Sequence, residues 1–155
     1  ADSLGGEQYF NIQFLGNMPQ NELYNDFLNS ADVVLGMSGG EGWGLPEFQA
    51  VALGAHAVIL NCTAYKEWAN ESNSVIVEPS GKKEAYDGVF FKKGDEWNQG
   101  KIFDYSEDQF IKACDQVIER VNNDRCNHKG LELAEEFNSE KLADNILKIL
   151  VDLET

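Results

Sequence analysis

Basic residues are scarce in this sequence of 155 residues. There are 12 Lys and Arg against 27 Asp and Glu, which leaves a net charge of -15. Nucleic acids and anionic lipids bind clustered positive charge, so this balance argues against both as partners. The first basic residue is Lys66, so an anion held by the residues before it must rely on backbone dipoles or on another chain.

Proline, cysteine and long apolar runs are scarce as well. With 3 prolines and 43% hydrophobic residues the chain is expected to fold, and no run of about 18 apolar residues is present to span a membrane. The 3 cysteines lack the paired spacings of metal ligands, which predicts reduced thiols, no metal site and a cytoplasmic location. The N-terminus has no signal-peptide pattern and no Met, so we expect a piece of a longer protein.

Short apolar runs alternate with helical patterns over the first half of the chain. This alternation is typical of parallel βαβ units with right-handed crossovers. It predicts an α/β fold, a Rossmann-like open parallel sheet with helices on both faces that binds ligands beyond the carboxyl ends of its strands. The predicted strands are 12–15, 32–36, 57–60 and 74–77, and the predicted helices are one after Pro19, one over 46–53 and a short one over 65–69.

Residues 80–101 lose this pattern and are rich in Gly, Lys, Asp and aromatic residues. They predict an ordered surface loop or hairpin, with Asp87 and Gly88 at a tight turn. We therefore assign residues 1–105 to a partial Rossmann-like domain and 106–155 to C-terminal helices that pack on the same domain.

Three helices are predicted in this C-terminal segment. Ser106 and Gln109 match the capping-box pattern at the start of the first, and Leu133 and Phe137 mark a short second helix. The last helix has an apolar stripe that needs a cover, and self-association through this helix is one way to provide it. The stripe consists of Leu142, Ile146, Ile149, Leu150 and Leu153.

A glycine-rich loop from Ser38 to Gly44 carries the strongest chemical signal. It runs from the end of a predicted strand into the start of a predicted helix, whose first amides are unpaired and carry partial positive charge. Glycine allows a ligand to approach the backbone closely, so the loop predicts a phosphate or carboxylate site. The alternative, that the glycines only form a tight turn, stays open at this point.

The order of residues in this loop resembles a known family. Residues 38–54 are similar to the donor-binding motif of the retaining GT-B glycosyltransferases, the glycosyl transferases group 1, with Trp43 where the family has Phe. The family pattern is Ser-x-x-Glu-Gly-Phe-Gly-Leu-Pro-x-x-Glu-Ala-x-Ala-x-Gly, and the wider resemblance covers residues 12–78. It implies the C-terminal, donor-binding half of a GT-B enzyme of the hexosyltransferase type.

The resemblance also implies roles for individual residues. Glu41 matches the acid that contacts hydroxyl groups of the transferred sugar, and we carry it over as the catalytic residue. The donor is a nucleotide-diphosphate sugar, and no further cofactor or metal is implied. The residues expected to hold the donor are Gly16, Ser38, Gly42, Trp43, Gly44, Leu45 and Gln49, and the indole of Trp43 is expected to anchor the loop by packing.

Two positions depart from the family pattern. Gln49 stands where the family has a second acid that binds the nucleotide ribose, so we expect weaker ribose binding. Glu47 cannot replace that acid, because it lies about 200° around the helix from position 49. His56 stands where the family often has Pro and is expected at a loop or a strand edge.

The acceptor domain and the basic pair that neutralises the diphosphate in the family are absent from this sequence. We therefore expect the isolated chain to bind a nucleotide sugar weakly and to be inactive without an acceptor domain or partner chain. The alternatives are a non-catalytic nucleotide-sugar-binding or interaction module of glycosyltransferase descent, and a doubly wound domain unrelated to sugars. The base, the sugar and the acceptor stay open.

Overall fold

Three short parallel strands form the central sheet. In the computed structural model, which describes residues 12–86, 89–97 and 100–153, the strands lie in the order β1-β2-β3. Val33 of β1 is paired with His56 of β2, and Val58 of β2 with Val75 of β3. The bounds are β1 Val33–Gly36, β2 His56–Leu60 and β3 Val75–Val77.

Helices connect and follow these strands. The helices are α1 Asn21–Asn29, α2 Leu45–Ala52, a 3-10 helix Thr63–Glu67, α3 Glu107–Asn123, α4 His128–Glu136 and α5 Ser139–Leu153. An antiparallel hairpin, β4 Gly81–Glu84 and β5 Lys101–Asp104, stands between β3 and α3. The predicted hairpin at 80–101 is therefore confirmed, whereas its predicted turn at Asp87 and Gly88 lies outside the described residues.

The alternating side chains of β2 divide the core into two layers. Val58 and Leu60 pack with α3 on one face, and Ala57 and Ile59 pack with α2 and α4 on the other. All five residues of β2 are buried. The predicted open parallel sheet with helices on both faces is therefore confirmed. A strand that is covered on both sides has a continuous apolar sequence, which is the pattern of β2.

The first predicted strand is wrong. Residues 12–20 have neither helix nor strand, and Ile12, Phe14 and Leu15 are exposed. An apolar run forms a strand only where a neighbouring strand takes up its backbone hydrogen bonds, and no described strand pairs with this one. Ser106 does lie at the N-cap of α3, but its side chain makes no capping hydrogen bond.

The C-terminal helices differ in how they are covered. Ala113 and Val117 of α3 and Leu133 of α4 are buried against the sheet layers. In α5, by contrast, every described side chain, from 139 to 152, is exposed. Among the residues that the structure describes, no helix is both long and apolar enough to cross a bilayer.

Candidate functional site

The glycine-rich loop lies at the carboxyl edge of the sheet, between β1 and α2. The hairpin packs directly on it, since the amide of Phe103 in β5 donates to the carbonyl oxygen of Gly39 at 2.9 Å. A side chain at position 39 would collide with the Phe103 backbone. Glycine at this position therefore lets the hairpin pack on the loop.

The start of α2 keeps the free amides that the sequence predicts. Its N-cap is Gly44 in the left-handed conformation, with a φ of 74°, and no side chain caps the helix. Within the described part of the chain, the amides of Gly42, Trp43 and Leu45 donate no hydrogen bond. These three groups and the helix dipole form an anion-binding arrangement that lies open at the sheet edge.

Tyr65 lies beneath this helix start. Its ring fills the space beside Gly44 and Gly36, where an added Cβ would meet ring carbons, and the side chain is fully buried. Its Oη has no hydrogen-bond partner among the described residues. Burial, and then the nearby carboxylate of Glu47, raise the pKa of Tyr65, although no Glu47 oxygen meets hydrogen-bonding geometry with Oη.

Glu41 is placed by a contact between two loops of the carboxyl edge. Its backbone N–H donates to Oγ1 of Thr63 at 3.1 Å, which ties the loop after β1 to the loop after β2. The Glu41 carboxylate makes no hydrogen bond or ion pair with the described residues, and the residue is half-buried. A carboxylate held in this way is available to accept hydrogen bonds from a ligand.

Thr63 contributes to this site although no local sequence pattern predicted a role for it. It has a φ of 46°, which is unusual for a β-branched side chain and costs conformational energy. Strain of this kind persists where the surrounding contacts require it, and here the Thr63 hydroxyl holds the Glu41 amide. Thr63 follows shortly after the carboxyl end of the central strand, and this position in the sequence could have indicated a residue of the site.

Gln49 lies one turn along α2 from Leu45, on the same face of the helix. Its Oε1 accepts a long hydrogen bond of 3.4 Å from the Tyr24 hydroxyl. Tyr24 and Gly16 line an open cavity of about 470 Å³ whose walls come from residues 15–27. Tyr24 thus lines the cavity beside Gly16 and also contacts Gln49. The side chain of Glu47 lies on another face of α2, next to Gly36.

Trp43 is a packing residue, as predicted. Its ring makes edge contacts with Phe48 and Phe137, and its carbonyl oxygen accepts from Nε1 of Trp68 at 3.0 Å. The indole therefore packs against other side chains of the protein, and the backbone amide is the part of Trp43 that remains available to a ligand. An aromatic cluster of this kind fixes the loop in place.

Ser38 makes hydrogen bonds within the protein at the start of the glycine-rich loop. Its Oγ donates to the carbonyl oxygen of Gly40 at 3.4 Å, and its own carbonyl accepts from the Cys62 thiol at 3.5 Å. Burial raises the pKa of that thiol. Ser38 therefore shapes the loop through contacts within the protein.

The amino edge of the sheet is built differently. His56 is the first residue of the central strand β2, which agrees with the prediction of a loop or a strand edge, and its Nε2 lies 2.8 Å from the Asp124 carbonyl oxygen. The buried Asn127 donates to the carbonyl oxygens of Ala55 and Asn73 at 2.9 and 2.8 Å. At this edge the polar side chains stabilise the fold through hydrogen bonds to the backbone.

The geometry thus defines an α/β protein with an open helix N-terminus and an unpaired acid at the carboxyl edge of its sheet. Among the described residues, no group of three or more His, Cys, Asp and Glu is arranged to hold a metal ion. In comparisons with known proteins, the chain matches no family model and no curated protein.

Proposed function

We propose that this chain is the donor-binding part of a retaining glycosyltransferase, which transfers a sugar from a nucleotide-diphosphate sugar to a glycan or lipid acceptor. The observation that carries the proposal is the uncapped start of α2 beside the unpaired carboxylate of Glu41. The amides suit a diphosphate, and the carboxylate suits the hydroxyl groups of a sugar.

The orphaned hydroxyl of Tyr65 supports this assignment. A fully buried polar atom without a partner costs free energy, and such atoms occur where function requires the surrounding geometry. Here the Tyr65 ring packs under Gly44 and so holds the left-handed N-cap that aims the amides outward. In this proposal Tyr65 is a positioning residue and does not touch the donor.

The nucleoside end of the donor is assigned to the other end of α2. We place the ribose near Gln49 and the base in the cavity beside Gly16, which Tyr24 connects to Gln49. Ribose binding by an amide lacks the charge that a carboxylate supplies, so this contact is expected to be weak.

Catalysis is assigned to a larger assembly. No basic residue precedes Lys66, so the glycine-rich loop and the start of α2 offer only backbone amides to the charge that develops on the diphosphate leaving group. A missing acceptor domain or a partner chain is therefore part of the proposal, and the exposed face of α5 is available for such an interaction or for self-association. The isolated chain is expected to bind donor without transferring sugar.

Thermal unfolding with UDP, GDP, ADP and their sugars tests the proposal. At least one nucleotide sugar should raise the unfolding temperature, because a ligand that binds only the folded state stabilises it. Glu41→Gln should weaken binding of that nucleotide sugar about tenfold and leave the bare nucleotide unaffected. Glu119→Gln on the exposed side of α3 is the control. The absence of a shift with every nucleotide would favour a doubly wound domain unrelated to sugars.

A non-catalytic nucleotide-sugar-binding module of glycosyltransferase descent is the second candidate. The observation in its favour is Gln49, whose oxygen already accepts from Tyr24 and is less available to a ribose. Gln49→Glu should tighten nucleotide binding if the ribose lies at this position, and an unchanged affinity would remove Gln49 from the donor site. Sugar transfer by this chain together with an acceptor domain or a partner chain would exclude the non-catalytic candidate.

A further inference from the structure

The segment that follows β2 lies alongside the glycine-rich loop. Its 3-10 helix, Thr63–Glu67, contacts the loop at two points. The Thr63 hydroxyl accepts from the Glu41 amide at 3.1 Å, and the Tyr65 ring packs beside Gly44. These contacts fix the 3-10 helix next to the residues that are proposed to hold the donor.

This 3-10 helix has an inner and an outer face, because side chains three residues apart are superposed in a 3-10 helix. Tyr65 and Trp68, the residue that directly follows the helix, share the inner face. Both are buried, and their rings make an edge contact with centroids 5.9 Å apart. Thr63 and Lys66 are the corresponding pair on the outer face, and both are exposed. Lys66 therefore lies on the side of the helix from which Thr63 holds the Glu41 amide.

The buried thiol of Cys62 lies close to both charges. Burial has the largest effect on this thiol and raises its pKa, whereas the Lys66 ammonium lowers the pKa and the Glu41 carboxylate raises it. The two charged groups are therefore within electrostatic range of one sulfur atom, which lies 3.5 Å from the Ser38 carbonyl oxygen of the loop. Lys66 and Glu41 thus belong to the same part of the carboxyl edge.

Lys66 differs from two lysines of the hairpin that packs on the same loop. Lys83 pairs with Asp104 across the two strands at 2.7 Å, and the Lys82 ammonium lies 4.5 Å from the centre of the Phe103 ring. The Lys66 ammonium, by contrast, makes no hydrogen bond or ion pair within the described part of the chain. Its positive charge is therefore available to a ligand.

We propose that the Lys66 ammonium binds the diphosphate of the donor. This role rests on the proposed function and adds to it a cation that the chain itself supplies. Phosphate oxygens accept from the free amides at the start of α2 on one side and from Lys66 on the other. The flexible stem of lysine and its three rotatable donors suit a group whose oxygens point in several directions. Glu41 stays available to the sugar at the same edge.

The charge that a diphosphate requires favours this role for Lys66. The start of a helix supplies only about half a positive charge, whereas a nucleotide-diphosphate sugar carries a negative charge on each phosphate. The net charge of the chain is -15, so most of its surface repels such a ligand. Exposed charges more than about 10 Å apart are screened at physiological salt, so one cation beside the free amides has a large local effect.

Titration calorimetry with UDP-glucose, GDP-mannose and ADP-glucose tests this role. Lys66→Ala should weaken binding of the nucleotide sugar that the natural chain prefers about tenfold. Lys66→Arg should restore most of the affinity because it keeps the charge, and Lys112→Ala on the exposed side of α3 should leave the affinity unchanged. Equal affinities of Lys66→Ala and the natural chain overturn the role of Lys66 and leave the proposed function standing. A natural chain that binds none of the three sugars overturns both.

Salt and a smaller probe separate a phosphate contact from a structural role. The affinity of the natural chain should fall more steeply with added NaCl than that of Lys66→Ala, because salt screens the charge pair. Inorganic pyrophosphate has neither sugar nor base, so Lys66→Ala should weaken its binding by a similar factor, whereas Glu41→Gln should not weaken it. Parallel salt dependences, or pyrophosphate binding that Lys66→Ala leaves unchanged, contradict a contact between Lys66 and the diphosphate.

Discussion

The two edges of the central sheet use polar groups in opposite ways. At the amino edge, the side chains of His56 and Asn127 are hydrogen-bonded to backbone carbonyls. At the carboxyl edge, the amides that begin α2 have no partner among the described residues, and Tyr65 Oη is unpaired. Polar groups that are satisfied stabilise a fold, whereas the amides left without a partner at the start of α2 are available to a ligand, so the carboxyl edge is where we propose binding.

The largest expected effect lies at the amino edge. Asn127→Ala removes two hydrogen bonds from buried carbonyl oxygens and the one that its Oδ1 accepts from the Gly130 amide at 2.9 Å, which caps α4. We expect a loss of about 3 kcal/mol in the free energy of unfolding, measured with urea. Asn122→Ala on the exposed side of α3 is the control and should change stability by less than about 0.5 kcal/mol. Equal effects of the two substitutions would contradict the contrast between the edges.

A smaller effect is expected at the start of α2. Gly44→Ala places a methyl group against the Tyr65 ring at a φ of 74°, which disfavours any side chain. The free energy of unfolding should fall by about 2 kcal/mol, and nucleotide-sugar binding should weaken with it.

Gly42→Ala is the matched control, because no atom lies within 4 Å of a Cβ at that position. It should leave stability nearly unchanged. If Gly42→Ala lowers the free energy of unfolding as much as Gly44→Ala does, the loop is stabilised by contacts other than those described for Tyr65.

The smallest effect is expected at Tyr65. Tyr65→Phe removes a buried hydroxyl that has no partner, so the variant should be as stable as the natural chain or up to about 1 kcal/mol more stable near neutral pH. A loss of stability would show that the hydroxyl is hydrogen-bonded to Glu47 in solution.

The pH dependence of Tyr65 sharpens the same test. The folded state raises the pKa of Tyr65 above the unfolded value of about 10. At higher pH the unfolded chain therefore releases a proton that the folded chain keeps, and stability falls as pH rises. The difference in unfolding free energy between Tyr65→Phe and the natural chain should grow in favour of the variant between about pH 9 and pH 11. A constant difference would mean that Tyr65 ionises as easily in the folded state.

The sheet and the loop were largely predictable. The strands at 32–36, 57–60 and 74–77 agree with β1, β2 and β3 within a residue or two, because a run of buried apolar residues is a local signal. The glycine-rich loop and the uncapped helix start at Leu45 were also predictable, since glycine and the helix dipole act locally.

Other features could not be read from local patterns. The run at 12–15 has the pattern of a strand, but a strand needs a neighbour, and pairing is not encoded in the run itself. Thr63 and Tyr65 reach the site through contacts with Glu41 and Gly44, which are about twenty residues away in the chain. The assignment of sugar chemistry to the site came from the resemblance in the loop and stays a proposal.

The sequence by itself determined where apolar and glycine residues recur, and through them the layered sheet and the backbone freedom of the loop. Only the tertiary structure decided which polar groups found partners and which did not. The reason is that apolar periodicity follows from neighbouring positions along the chain, whereas the hydrogen-bond partner of a buried group, such as Asn127 or Tyr65, is brought to it by folding from a distant position.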